Sequence, residues 1–320
     1  RGHQIAALVT RAAELRAWGQ GRGLVVIDQR PGWEADLPGP ADWLLSVANL
    51  SLVSPAALAR ATRGGVNFHD GPLPRHAGLN APVWALLEGE VEHGITWHLI
   101  TPGVDEGDIL LQRRFAILPG DTALTLNTRC FETALDSFPD LLTALESGVP
   151  ARQAQDFTAR SLHLRADRPA GAGRLDFTQA AADLERLVRA LDHGTYWNPL
   201  TTAKIWDGAR HIVVGGAEVV AGSGVPGQIL AATAEEVTVA CGQGALRLTR
   251  LTCQKGFPVD ATRLPNPLPN PTPAEALALT AALARVAPTE GATRKALPAL
   301  NPAEVPGASA APVPAFWQQV

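Results

Sequence analysis

The 320-residue sequence predicts an α/β fold, in which a mostly parallel, Rossmann-like sheet is followed by a second, smaller unit of short antiparallel strands. Three observations predict it. Short apolar runs alternate with helical patterns through residue 150. From Gly173 the pattern changes to short β-like runs divided by glycine turns. No apolar run approaches the ~20 residues that span a bilayer, so no membrane span is expected.

In chain order, "IAALVT" and "LVVID" read as strands. "ADWLLSVANLSLV" contains a third and "GGVNF" forms a fourth. "HGITWHLI" and "DILLQRRFAI" follow, the latter with period-2 alternation. "PAALARA" and "NAPVWALLEG" are helical patterns between them. A long helix is expected over about residues 122–146, with Asp121 or Thr122 to cap it and Gly148 just past its end. Residues 151–172 read as a linker. In "FTQAAADLERLVRALDHG", Leu184, Leu187, Val188 and Leu191 share one helical face. "AKIW", "HIVVGGAEVV", "GQILAAT", "VTVACG" and "ALRLTRL" then supply strands for a small barrel or sheet over 173–256. Residues 257–320 hold nearly half of the 26 prolines and read as an extended tail. Its one helix starts at a capping box formed by Thr272, Pro273 and Glu275.

The formal net charge of −4 argues against a surface built for nucleic-acid phosphates. Cys130, Cys241 and Cys253 are odd in number and lack CxxC spacing, so a reduced, cytoplasmic protein with buried thiols is expected. Methionine is absent throughout, and Arg1 is not expected to be a native start.

Chemistry concentrates in "VNFHDGPLPRHAGLN". Asn67 and His69 are two apart at the end of a predicted strand, so both side chains face one way. That places an amide and an imidazole at the carboxyl edge of an open sheet, where such folds bind ligands. Asp105, in the glycine-flanked loop "TPGVDEGDIL", offers a carboxylate to orient the ring and stabilise its charge. The plain alternative is that His69 is structural and that Asn and Asp beside Gly and Pro simply make turns. The pairs His69/His76 and His93/His98 supply no third ligand with convincing spacing, so no metal is expected. The sequence contains no Walker loop, GxGxxG fingerprint or GxSxG elbow.

"NFHDGPLP", Gly78 and the later "VDEGDIL" together resemble the 10-formyltetrahydrofolate-dependent formyltransferases. Asn67, His69, Pro74 and Gly78 match that family's motif, and Asp105 lies 36 residues beyond His69, as the pattern requires. The second region, through "GRLDFTQAAADLERLVRAL" and "PGQILAATAEEVTVACGQGALRLTRL", is similar to the C-terminal domain of methionyl-tRNA formyltransferases, which implies an OB-like barrel. The resemblance implies a catalytic domain over 1–150 that uses 10-formyltetrahydrofolate. Asn67 and His69 would donate to an oxyanion, while Asp105 would pair with His69 and relay the amine proton through water. His98 would support the site or simply pack. The pterin would meet backbone groups of Leu50, Ser51, Leu52, Val53, Thr101, Pro102, Gly103 and Val104, and Leu50 and Leu52 read equally as ordinary core.

The turn departs from the family at Asp70-Gly71-Pro72-Leu73, a variant that resembles formyltransferase domains of nonribosomal peptide synthetases, as does "LPALNPAEVPG". The expected acceptor is therefore an aminoacyl carrier protein, in cis or in trans, beside adjoining synthetase modules. An amino-sugar nucleotide, methionyl-tRNA, or a non-catalytic docking role are the alternatives. The family begins with a central strand and helix that have no counterpart here, so further residues upstream of Arg1 are expected.

Overall fold

A computed structural model describes residues 2–148, 150–196 and 198–285. The chain opens with a parallel pair, β1 (Leu8–Thr10) and β2 (Val26–Asp28), joined by helix α1 (Ala13–Gln20). Helix α1 is absent from the expected elements. Leu15 and Trp18 are its only large apolar residues, too few for a 3.6-residue period to stand out. Next come β3 (Ala41–Ser46), the short helix α2 (Pro55–Leu58) and β4 (Ala61–His69). Ser54 caps α2 by accepting the Ala57 N–H at 3.1 Å. The two-residue β5 (Ala77–Gly78) and helix α3 (Ala81–Leu87) lead to β6 (Glu92–Leu99) and β7 (Ile109–Ala116).

The main sheet has the order β3-β4-β6-β7. Strands β3 and β4 are parallel, and β4–β6 and β6–β7 are antiparallel. The loop between β6 and β7 is too short for a parallel crossover. Among the described residues, the β1–β2 pair is not hydrogen-bonded to this sheet.

The expected long helix is α4 (Ala123–Glu146), and Thr122 is its cap, in a reciprocal capping box with Thr125. Cys130, Ala134, Leu141 and Leu145 recur on one face of α4 and pack on Val66, Phe68, Ile95 and Trp97 of the sheet. Burying side chains the size of Phe68 and Trp97 contributes about 2–3 kcal/mol each. The Trp97 indole N–H donates to Ser137 Oγ at 3.1 Å, which satisfies its one polar atom.

Residues of the expected linker are tied to the first half. Gln153 exchanges backbone bonds with Ile109, and β8 (Leu162–His163) pairs in parallel with β5. Helix α5 (Ala181–Ala190) and strands β9 (Lys204–Trp206), β10 (His211–Val220), β11 (Ile229–Ala232), β12 (Glu236–Ala240) and β13 (Ala245–Thr252) follow. They form an antiparallel sheet of order β11-β12-β13-β10-β9. Among the described residues β9 and β11 do not pair, so the sheet is a curled half-barrel with two open edges. Leu184 and Val188 of α5 seal its core against Ile212, Val214, Leu246 and Leu248, and Val83 and Ala123 of the first half join the same core. Helix α6 (Pro273–Arg285) carries the expected capping box, with Thr272 N–H donating to Glu275 Oε2 at 2.8 Å. The start of the expected tail is not a free extension: Ala261 and Leu268 are buried in the same core and Asn270 Oδ1 accepts the Phe177 N–H at 2.8 Å, because its prolines alternate with apolar residues that the half-barrel covers. The rest of the tail from residue 286, including "LPALNPAEVPG", lies outside the described residues.

No helix among the described residues is long and apolar enough to cross a membrane. Cys130 and Cys241 are buried as expected, but Cys253 is only half-buried, because it sits past β13 in a turn closed by its N–H and the Phe257 carbonyl.

Candidate active site

Strand β4 sorts its side chains by alternation. Phe68 points into the α4 core, where its ring lies 5.2 Å from Trp97 and 5.8 Å from Phe131. Asn67 and His69 flank it and so face away from that core. Asn67 Nδ2 lies 3.2 Å from His98 Nε2, because Asn67 and His98 are direct partners in the β4–β6 register.

The turn after His69 is fixed from beneath by β6 and β7. Thr96 Oγ1 donates to the Gly71 carbonyl at 2.8 Å and accepts the Leu73 N–H at 3.1 Å. Gln112 Nε2 donates to the Leu73 carbonyl at 2.9 Å. His93 Nε2 donates to the Asp70 carbonyl at 2.8 Å. The turn ends at His76, whose φ of +56° is costly for a non-glycine residue, by about 1 kcal/mol. The interdomain segment holds that conformation. Ser161 Oγ accepts the His76 N–H at 2.8 Å, and the Ser161 carbonyl accepts the Ala77 N–H at 2.9 Å. Gly78 must be glycine here, since its φ is +92° and a Cβ would run into the His163 carbonyl.

This scaffold sets the tautomer of His69. Its Nε2 lies 2.8 Å from the His76 carbonyl oxygen, which can only accept, so Nε2 carries a proton. The other nitrogen, Nδ1, faces Asp105 Oδ2 at 3.5 Å and Asp70 Oδ1 at 3.9 Å.

Asp105 reaches the ring from the loop after β6 with a φ of +52°. Its carbonyl accepts from Gln155 Nε2 at 2.9 Å, and the preceding Val104 carbonyl accepts from Arg160 at 2.8 Å. Its Oδ2 accepts the Gly78 N–H at 2.8 Å, and its Oδ1 lies 3.3 Å from His98 Nε2. Burial pushes the Asp105 carboxyl up, but His98, the charge of His69 and the Gly78 N–H together outweigh it and hold the group well below the usual carboxylate range. His98 Nδ1 donates to the Leu99 carbonyl at 2.9 Å, so its Nε2 either accepts from Asn67 or, when charged, donates to Asp105.

The structure thus brings Asn67, His69 and Asp105 together and adds His98 as a bridge between Asn67 and Asp105. Asp70, Thr96, Gln112, Gln155, Arg160 and Ser161 also build the site. The β4–β6 register could have pointed to His98. The residues that reach in from the interdomain segment leave no periodic signal. Leu50–Val53 follow β3, whose last residue, Ser46, pairs with Asn67, and Thr101–Val104 lead directly into Asp105. Leu50 and Leu52 are 71% and 81% exposed, so neither is core. The Asn49 side chain braces the first segment through the Ser51 N–H and carbonyl at 3.0 and 2.8 Å.

Among the described residues the three possible ligands that come together are His76, Glu88 and His163, and neither histidine pair read from the sequence gathers a third ligand. Instead His76 meets His163, with Nδ1 3.3 Å from Nε2 and the rings within 15° of parallel, the geometry of an N–H···N hydrogen bond. Glu88 lies 3.7 Å from His163 Nε2, but Arg75 already pairs with Glu88 at 3.3 Å and also with Glu90.

Burial holds the His76 and His93 rings neutral. It lowers the first to about 3 and the second to about 4, with neighbouring cationic groups adding to the effect at His76. The unfolded chain binds these protons near pH 6.5 and the folded one does not, so stability falls as pH drops from about 6.5. Asp70, raised by burial, offsets part of this with the opposite sign. The denaturant midpoint is expected to fall between pH 7 and 5 by the equivalent of about 2–4 kcal/mol. His93→Gln should flatten that slope, and a pH-independent midpoint in the unaltered protein would contradict the neutral assignment.

Residues 39–142 match the family described as formyl transferase, and residues 170–267 match the formyl transferase C-terminal domain. The chain is 32% identical over 237 residues to methionyl-tRNA formyltransferase of Pseudomonas syringae pv. syringae, covering 74% of this chain and 73% of that protein. It is 33% identical over 192 residues to the Myxococcus xanthus enzyme of the same name, covering 59% and 58%. Among solved structures it resembles HypX from Aquifex aeolicus in complex with tetrahydrofolic acid, with a TM-score of 0.57 and 17% identity over 78% of this chain. It spans only 44% of HypX. It also resembles WlaRD, a sugar 3N-formyl transferase solved with dTDP and 5-N-formyl-THF, with a TM-score of 0.59 and 16% identity, covering 73% and 80% of the two chains.

Proposed function

The chain belongs to the formyl transferase family, and from that premise we propose that it moves a formyl group from 10-formyltetrahydrofolate to the amine of an aminoacyl group on a carrier protein. The observation that carries the formyl-transfer reading is the convergence of Asn67, His69 and Asp105 at one edge of the sheet. As the amine attacks, negative charge develops on the formyl oxygen. Asn67 Nδ2 has two hydrogens and gives one to His98, so the other is available to that oxygen. His69 can donate only from Nδ1, because Nε2 is committed to the His76 carbonyl. Asp105 Oδ2 faces that nitrogen at 3.5 Å and orients it. An already oriented donor of this kind lowers the barrier by about 3–4 kcal/mol.

Donor binding is assigned to Leu50–Val53 and Thr101–Val104. The exposed Leu50 and Leu52 side chains, on the segment after β3, are the apolar surface a bound pterin would cover. The folate ligands of the HypX and WlaRD structures support the donor class.

The carrier-protein acceptor is supported by the net charge of −4, which suits tRNA poorly, and by the proline-rich sequence from residue 286 onward, which suits a tether to a neighbouring module. A tethered carrier would reach the site at high effective concentration. The three unpaired thiols suit a reducing cytoplasm. A purely docking role has no use for an ionised Asp105 set against a charged donor. The test is a competition, in which an aminoacyl carrier protein, an amino-sugar nucleotide and methionyl-tRNA are offered together with one donor and the formyl mass is followed on each. The carrier protein is expected to be formylated first. Preference for the sugar or the tRNA would reject this acceptor and leave formyl transfer standing.

A further inference from the structure

Asp70 is the one carboxylate at the site that the three-residue arrangement leaves unused. It follows His69 directly, and its Oδ1 lies 3.9 Å from the same ring nitrogen that Asp105 Oδ2 approaches to 3.5 Å. Its side chain is 28% exposed against 13% for Asp105, so it is the more open of the two. Its carbonyl is pinned by His93 Nε2 at 2.8 Å and by Cys130 Sγ at 3.7 Å, which fixes where the carboxylate can point. Asp105 is committed to the Gly78 N–H and lies 3.3 Å from His98 Nε2. Among the described residues Asp70 has only its own N–H and the His69 ring.

Two carboxylates beside one ring nitrogen share protons as a unit. Four titratable groups meet Asp70. They are His69 from β4, Asp105 from the loop after β6, His93 from β6 and Cys130 from α4. Asp105 is engaged by the Gly78 N–H and held ionised, whereas the Asp70 carboxylate is the more open of the two and has no such backbone donor from another residue, so it is the one placed to exchange a proton.

We infer that Asp70 is the proton shuttle of the transfer, taking a proton from the attacking amine and returning it to the departing nitrogen of the donor. The inference rests on the formyl-transfer reading above. As the amine nitrogen bonds to the formyl carbon, the carbonyl π pair moves onto oxygen and one N–H proton passes to the Asp70 carboxylate. On collapse the C=O re-forms, the bond from carbon to the donor nitrogen breaks, and the same proton goes from Asp70 to that nitrogen. No net proton is gained or lost. An acid–base group in this role contributes roughly a hundredfold or more.

The test uses the whole chain with 10-formyltetrahydrofolate and an aminoacyl carrier protein, or whichever acceptor wins the competition. Asp70→Asn is expected to lower kcat about a hundredfold at pH 7 and to displace a limb of its pH profile, with tetrahydrofolate binding within twofold of the unaltered protein. Acetate is expected to restore part of the Asp70→Gly rate in a saturable way, which decides the matter if the Asn variant does not fold. A kcat within threefold in Asp70→Asn overturns the inference. So does a loss that matches lost folate binding and is not rescued by acetate, since that marks a scaffold role. If the unaltered chain formylates no amine, the inference falls with the functional reading beneath it, whereas the first two outcomes remove Asp70 alone.

Discussion

His69→Ala is expected to lower turnover about a thousandfold while leaving the chain folded. The ring supplies a donor for the developing oxyanion through Nδ1, and loss of one such donor costs about 10²–10³ in rate. The fold does not hang on that ring. Its imidazole meets the His76 carbonyl and two carboxylates, while the hydrophobic contacts of β4 come from Val66 and Phe68 on the opposite face. The variant should therefore show cooperative unfolding and near-normal tetrahydrofolate binding, with the deficit in kcat. His69→Gln restores one N–H donor without the charge and should recover only a minor part of the rate. Kinetics with an accepted amine, run beside calorimetry, separate the two effects. A His69→Ala enzyme within tenfold of the unaltered rate would remove His69 from the chemistry.

How much of this site the sequence carries depends on how far its information travels. The strand that ends in Asn67 and His69 is legible because apolar runs and turn residues are local signals, and so is the Thr122 cap of α4. Asp105 is legible only through a motif, since nothing in its own loop says that a left-handed residue will swing its carboxylate back to β4. His98 needs the antiparallel register of β4 and β6. Ser161 and Gln155 are harder still. They act across the interdomain segment on the His76 turn and the Asp105 loop, and two-residue strands such as β5 and β8 have no period to read. Leu50 and Leu52 show the converse limit, because the apolar residues that read as core are exposed. Composition identifies a residue that water disfavours but does not say whether protein or ligand covers it.

Asp105→Asn is expected to cost about a thousandfold in kcat and, at the same time, to change the acid stability of the fold. Asparagine is nearly isosteric and can still accept the Gly78 N–H, so the loop should keep its place and only the charge is lost. That charge matters because opposite charges about 3.5 Å apart attract by a few kcal/mol at an effective dielectric of 20. Asp105 stays ionised throughout the working range and contributes no limb of its own to a pH–rate profile. Stability should change on the acid side as well. A depressed carboxyl stabilises the fold fully above the unfolded value of about 3.9 and loses that contribution as pH falls through the folded one. The unaltered protein should therefore show an acid-side loss below about pH 4 that the variant lacks. If Asp105→Asn keeps a rate within tenfold of the unaltered protein and the same acid stability, Asp105 is no more than a loop anchor for Gly78.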